Sequence, residues 1–342
     1  MNTQKAEQSS AVTASLVVLA TVATAAALAY TKPVMVPFVL ALFLSYLVSP
    51  LVDFFQDRLR VPRLVSIVAA LLAGVGLLTL LALLIITSTR GLMLSADIYR
   101  DRITGIAERV FSVLDVFGTD LGQQTFLDGI RQLPILRLVQ NAAGTAMDLI
   151  AYGGLVVIFL IYLVAGRRPV EQRVGIYAEI HGKIQKYIVA KFIISATTGV
   201  LVGVILTLFK LDLALVFGVM AFFLNFIPSL GSVFATLLPI PIAIIQFDSV
   251  WVVTGIVALP GLVQLTIGNG IEPLVMGESL DLHPITIILS LIFWGLLWGI
   301  VGMFLAVPIT AVLRIVLGRF NETRAIAELL AGNLPKASAP SV

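Results

Sequence analysis

The chain has no cysteine and only two histidines, His181 and His283, in 342 residues. Disulfides, thiolate metal sites and cysteine nucleophiles are excluded, and so is any metal centre built on several imidazoles. Charge is scarce as well. Asp, Glu, Lys and Arg make up 12% of the residues, roughly half their share in soluble domains. A soluble globule of this length needs more polar residues than that to coat its surface. A cytosolic enzyme, a disordered chain and a secreted disulfide scaffold are ruled out. Enzyme signatures are missing too. There is no Gly-x-Ser-x-Gly elbow, Walker A loop, His-Glu-x-x-His or dinucleotide fingerprint. No catalytic residue, metal site or cofactor is assigned, and the chain is not read as an enzyme. Without a Walker A loop, any transport must be facilitated or driven by an ion gradient, unless a partner ATPase serves it. The net charge of +3 is too small to suggest nucleic acid as a partner. In a membrane protein such an excess marks cytoplasmic loops.

What is present is apolar: 59% of the residues are hydrophobic and the mean hydropathy is +1.06. The expected fold is all-α, a polytopic integral membrane protein whose main partner is the lipid bilayer. A helical span takes ~20 mostly apolar residues. Five segments fit plainly, Ala11–Ala29, Val34–Val52, Leu64–Ser88, Met147–Gly166 and Ile188–Phe209, and Val250–Ile271 is a sixth. The first comes after Lys5 and ends on Ala27-Leu28-Ala29, as a signal peptide would. Its length, and the spans after it, favour an uncleaved transmembrane helix.

Two further stretches are too long for one span. Leu213–Phe247 is interrupted at Asn225–Ser232, and Pro284–Leu317 at Gly295, Gly299 and Gly302. A continuous helix through either would reach ~50 Å, against a hydrocarbon core of ~30 Å. Each reads as two arms around a turn, either fully spanning or re-entrant. The basic residues test this count. Arg58, Arg60 and Arg63, then Arg167, Arg168, Arg173, Lys183, Lys186 and Lys191, then Arg314, Arg319, Arg324 and Lys336 all fall on one side if both termini are cytoplasmic. The short links on the other side hold only Lys32 and Lys210.

These spans and links set the expected organisation. Residues 1–89 form an N-terminal three-helix membrane segment, and 90–146 an extracytoplasmic subdomain of amphipathic helices. Residues 147–318 form a transport core holding the two broken pairs, 213–247 and 284–317. Residues 319–342 are a cytoplasmic tail. Within the core, Glu171–Lys186 has apolar residues three or four apart, which predicts an amphipathic helix on the inner membrane surface.

Polar residues in spans are costly, so each is a functional candidate. Asn225 and Ser232 flank a break made by Pro228 and Gly231. Backbone groups freed there are tolerated only inside protein or facing a wet cavity. Secondary transporters build sites in this way, and a structural kink is the alternative. Gln264 and Asn269 can face a bundle interior. Glu272, before Pro273, can accept a proton, cap a hairpin or simply be a solvated boundary carboxylate. His283, before Pro284, can titrate near neutral pH or cap the helix that begins there. Lys191 reads as a lysine snorkelling to the interface. Gly199-x-x-x-Gly203 and Gly295-x-x-x-Gly299 permit close helix approach. The candidate solute contacts are Asn225, Ser232, Gln264 and Asn269. The candidate coupling groups are Glu272 and His283. The candidate breaks or gates are Pro228, Gly231, Pro273, Gly277, Pro284, Gly295, Gly299 and Gly302. Opposed hairpins meeting near the midplane would give a site with two gates.

Several of these runs resemble the autoinducer-2 exporter (AI-2E) family. Asn225-Phe226-Ile227-Pro228-Ser229-Leu230-Gly231-Ser232 is similar to its Asn-x-Ile-Pro-x-x-Gly motif. Ile271-Glu272-Pro273-Leu274-Val275-Met276-Gly277 with His283-Pro284 after it, and Leu289–Gly295 through Gly302 to Ala306-Val307-Pro308-Ile309-Thr310, are similar to its C-terminal blocks. Val36-Pro37-Phe38 and Ser49-Pro50-Leu51-Val52 fit its N-terminal pattern. Asp281 departs from the family, which often has glycine there. The resemblance implies a bacterial inner-membrane secondary transporter, a homo-oligomer and by family resemblance a pentamer, exporting a small polar solute such as the quorum-sensing signal autoinducer-2, with protons or sodium as coupling ions. A sodium/proton antiporter and a non-transporting scaffold or sensor are the alternatives.

Overall fold

The structure is a computed structural model that describes residues 15–16, 19–60, 62, 65–69, 71–72, 74–76, 79, 83, 102, 104–105, 153–166, 175–276 and 280–333. The expected subdomain at 90–146 lies outside these, apart from Arg102, Thr104 and Gly105, and so does Gly277. Among the described residues the chain is helical and has no strand. Among the described residues four helical stretches are long and apolar enough to cross a bilayer: Lys32–Gln56, Ala178–Leu208, Val250–Met276 and Ile300–Leu317. The protein is a multi-pass membrane protein.

The chain divides into two compact units. The first holds 1–50, 149–185 and 280–342, the second 51–148 and 186–279. The first contains α1 (Leu19–Tyr30), most of α2 (Lys32–Leu59), α3 (Gly153–Ala165), the start of α4 (Gly175–Leu208) and the C-terminal helices. Aromatic contacts knit it together. Phe38 meets Phe159 edge-on at 5.6 Å, and Phe43 meets Phe304 at 5.3 Å.

The second broken stretch belongs to this unit. It forms α10 (Pro284–Trp298) and α11 (Ile300–Leu317). The turn falls at Gly299, whose φ of +70° suits glycine. Gly295 lies inside α10 and Gly302 in the first turn of α11. Gly302 is there for closeness: a Cβ on it would lie 1.9 Å from the Trp294 carbonyl oxygen. Trp294 and Trp298 on α10 anchor the hairpin, one donating to Thr310 Oγ1 at 3.3 Å and the other to the Leu28 carbonyl at 3.1 Å.

The last helix of the unit, α12 (Arg324–Leu330), is tied to the turn before α10. The His283 amide donates to the Leu330 carbonyl at 3.1 Å. Here Asp281 explains its own departure from the family. Its φ is +47°, a left-handed conformation that glycine adopts freely and aspartate tolerates. In exchange the carboxylate accepts from Arg314 Nη1 at 2.9 Å and lies 3.6 Å from Lys183 Nζ. Lys183 is also 3.5 Å from Glu179, which pairs with Arg319. The result is an alternating chain Arg314–Asp281–Lys183–Glu179–Arg319. These pairs are partly exposed, so each contributes only about 0.2–1 kcal/mol. Asp281→Ala is expected to destabilise by about 1–3 kcal/mol, because it loses two pairs and keeps a strained backbone. Asp281→Gly loses the pairs alone and costs about 1 kcal/mol or less. Thermal unfolding at low and high salt checks this. The gap between the two variants should survive high salt, and coincident midpoints would show that the backbone there is unstrained.

The second unit carries the first broken stretch. α5 (Ala214–Leu224) ends at Asn225, and α6 (Leu230–Leu237) starts after a turn in which Ser229 has φ +62°. Pro239 then breaks the second arm again before α7 (Ile240–Gln246). The arms have 11, 8 and 7 residues, each well short of the ~20 needed to cross. Gln246 closes the far end, donating to the Lys210 carbonyl and accepting from the Asp212 amide, both at 2.8 Å. Arg102 donates to the Ile245 carbonyl at 3.0 Å, a cation at a helix C-terminus. Val202, Leu206, Phe217, Ala221, Ala235 and Ile256 lie in the apolar core of this unit.

Two expectations are corrected. The amphipathic segment and the fifth span are one helix, α4, of 34 residues. Nothing between Lys183 and Thr198 breaks a helix: there is no glycine or proline, and the polar-to-apolar change alters the surroundings without altering the backbone. The sixth span is not one regular helix either. It comprises α8 (Val250–Thr266), a π-helical segment Ile267–Ile271 and α9 (Glu272–Met276).

Candidate functional site

One face of α4 is deeply buried in the second unit. Residues Lys191, Ser195 and Thr198, at i, i+4 and i+7, share that face, and none is more than 1% exposed. Tyr187, one turn earlier, is 7% exposed. Val202 and Leu206 continue the same stripe without polar atoms. The polar line is thus confined to the first half of the segment that α4 gives this unit.

Close packing holds α4 in place. A Cβ on Gly199 would lie 2.8 Å from the Gly218 carbonyl oxygen of α5, and one on Gly218 would lie 2.8 Å from the Gly199 carbonyl oxygen. Gly203 lies on the same contact. The Gly199-x-x-x-Gly203 pair therefore lets α4 and α5 touch backbone to backbone. That approach brings the end of α5 to the polar line, where Asn225 Nδ2 donates to Ser195 Oγ at 3.0 Å. Both residues are buried.

The reading of Lys191 as a snorkelling lysine is overturned. Its side chain is 1% exposed and pairs with the Glu272 carboxylate, which is 20% exposed. A lysine takes this position only with a counter-charge, since an isolated buried ammonium is prohibitively costly. The π segment explains how Glu272 reaches it. An extra residue in one turn rotates the rest of the helix by about 100° relative to a regular α-helix. Glu272 is the first residue after that turn. Gly268, Asn269 and Gly270 make up its middle, and small residues ease the wider turn.

The other candidates separate by surroundings. Gln264, on α8, is 5% exposed, and among the described residues its Nε2 has no hydrogen-bond partner. Two donor hydrogens left unmade at a buried site are unusual and need an account. Ser232 is half-buried and donates to the Ser229 carbonyl at 3.0 Å, within the turn. Asn269 is exposed on the π segment, and Pro273 is exposed on α9. Pro228 lies in the turn after α5. Gly231 is pressed against α5, where a Cβ would lie 1.7 Å from the Leu224 carbonyl oxygen. His283 belongs to the first unit. Its Nδ1 accepts from the Ile285 amide at 3.3 Å, capping α10, and Pro284 opens that helix. The structure brings Asn225 onto the polar line of α4 and Glu272 onto the same line, four residues away along that helix. The sequence marks Lys191, Ser195 and Thr198 without showing what they meet. The available signal is their i, i+4, i+7 spacing.

Chemically, the line offers a hydroxyl, an amide and a neutralised ion pair. Among the described residues no three His, Cys, Asp or Glu side chains are grouped to hold a metal ion. The arrangement offers hydrogen-bonding groups beside a carboxylate that is already paired with an ammonium.

Comparison with known proteins agrees with this architecture. The chain is 31% identical over 313 residues to the AI-2 transport protein TqsA of Escherichia coli strain K12, covering 88% of this chain and 90% of that protein. It is 28% identical to a provisionally named transport protein of Borreliella burgdorferi, over 87% and 84% of the two chains. It is also 28% identical to YhhT of Escherichia coli K12, another provisionally named transport protein, over 90% of each. Residues 16–322 match the model of the AI-2E family transporters. The chain belongs to the AI-2E family of membrane transporters.

Proposed function

We propose that this transporter exports a small, uncharged, polar solute, with autoinducer-2 as the foremost cargo, across the bacterial inner membrane, and that it works as a homo-oligomer. The observation that carries this reading is the buried amide chemistry of the second unit. Asn225 is held by Ser195, and the amide nitrogen of Gln264 has no partner among the described residues. Amides and hydroxyls recognise hydroxyl and carbonyl groups. The one charged pair there is neutral in sum, so nothing in the line favours a strongly charged cargo. The name of the relative TqsA supports the same cargo.

Reconstituted liposomes test it. Vesicles loaded with autoinducer-2 should lose it faster than protein-free vesicles. Asn225→Leu should slow that loss by about ten-fold or more, the equivalent of one hydrogen bond lost at a buried site, while the protein elutes as before. Sodium and proton movements are followed in the same vesicles. Cation exchange without autoinducer-2 efflux would replace this reading with a sodium/proton antiporter, and no flux of any kind would favour a scaffold or sensor.

A further inference from the structure

We propose that Lys191 is the internal counter-ion of a proton-carrying carboxylate: Glu272 holds the Lys191 ammonium in one state and a proton in the other. The inference deepens the transporter reading and rests on it, since it supplies the coupling step for the same unit.

Three observations converge. The first is the pair itself. Lys191 is 1% exposed and Glu272 is 20% exposed. The ammonium is sealed in, while the carboxylate keeps part of its surface outside the packing. A purely structural pair has no need of that asymmetry. The second is the scarcity of alternatives. The sequences of α5, α6, α7, α8 and the π segment contain no ionisable side chain. On the buried face that α4 gives this unit, Tyr187 is the other ionisable group, and Lys186 is exposed. The sequence of α2 in this unit contains Asp53, Asp57 and Arg58, and Arg60 follows the helix. Glu272 is thus the one acid on the parts of the polar-line helices that lie in this unit, since Glu179 of α4 belongs to the first. The third is the π segment immediately before Glu272. Such segments recur at functional sites. Converting this one to a regular turn would swing Glu272 by about 100° off Lys191.

The exchange balances simply. A proton binds a Glu272 carboxylate oxygen and neutralises it. Lys191 keeps its own proton, loses its partner and must find water or another acceptor, because an unpaired buried ammonium is unstable. The paired state is neutral and the protonated state carries one positive charge. A membrane potential therefore acts on one state and not on the other.

The test needs no cargo, so its failure and that of the export reading are separable. The full-length protein in lipid nanodiscs is stepped reversibly between alkaline and acidic buffer, and infrared difference spectra are recorded. A carboxylic C=O band should appear on acidification and be absent in Glu272→Gln. In Glu272→Gln, Lys191 should react several-fold faster with a small amine-acylating reagent than in the wild type, with Lys186 unchanged. Should that variant not fold, Glu272→Asp in protein made with carbon-13 glutamate should remove the isotope-shifted band, whereas a band from the other glutamates would stay in place. Absence of a glutamate band in the native protein would overturn the proposal. So would a band that persists in Glu272→Gln, or a Lys191 that stays protected there.

Discussion

Gly231→Ala and Gly302→Ala are each expected to destabilise the protein by more than about 3 kcal/mol, at the far end of what single substitutions do. The reason is the identity of the atoms in the way. At Gly231 the added methyl would lie 1.7 Å from the Leu224 carbonyl oxygen and 2.5 Å from its carbon. At Gly302 it would lie 1.9 Å from the Trp294 oxygen and 2.6 Å from its carbon. Both obstacles are main chain in the preceding helix, so no rotamer change can relieve them. Each hairpin would have to open. Overpacking against side chains alone costs about 1–3 kcal/mol, which sets the expected floor for backbone clashes. Gly182→Ala is the control. It is exposed inside α4 with nothing within 4 Å of the new carbon, and it should stabilise by about 0.5–1 kcal/mol. Thermal unfolding in detergent, read with the monodisperse fraction on size exclusion, compares the three. If Gly231→Ala unfolds beside Gly182→Ala, the turn after α5 is looser than its geometry implies.

The two glycines also show how far residue chemistry reveals a turn. At the first break, Pro228 removes a backbone donor and Gly231 permits closeness, so the residues mark the turn directly. At the second break three glycines compete. Only backbone conformation singles out Gly299, at φ +70°, while Gly302 serves packing, which no local pattern encodes. The continuity of α4 is hidden for the opposite reason. The shift from charged to apolar residues near Lys186 describes a change of solvent, and it mimics a change of element. Gly199 and Gly203 announce a close contact without naming Gly218 as the other side.

Lys191 and Glu272 are the hardest case, because 81 residues separate them and a lysine near a span edge always has the snorkelling explanation available. Their pairing depends on a π turn that glycine content suggests but does not specify. It sets up the last prediction. Lys191→Met alone should destabilise the protein by an amount near the low end of the roughly 3–5 kcal/mol seen when a buried pair loses one partner. The low end is expected because Glu272 is not fully buried and keeps 20% of its side chain exposed. Lys191→Met combined with Glu272→Gln should recover most of that loss. Both charges then leave together, methionine fills the lysine's volume, and buried pairs replaced by neutral groups of similar shape are often neutral or better. Chemical denaturation midpoints of wild type, both single variants and the double variant close the cycle, and the coupling is read from its non-additivity. A double variant as unstable as the sum of its parts would mean that the two charges do not depend on each other.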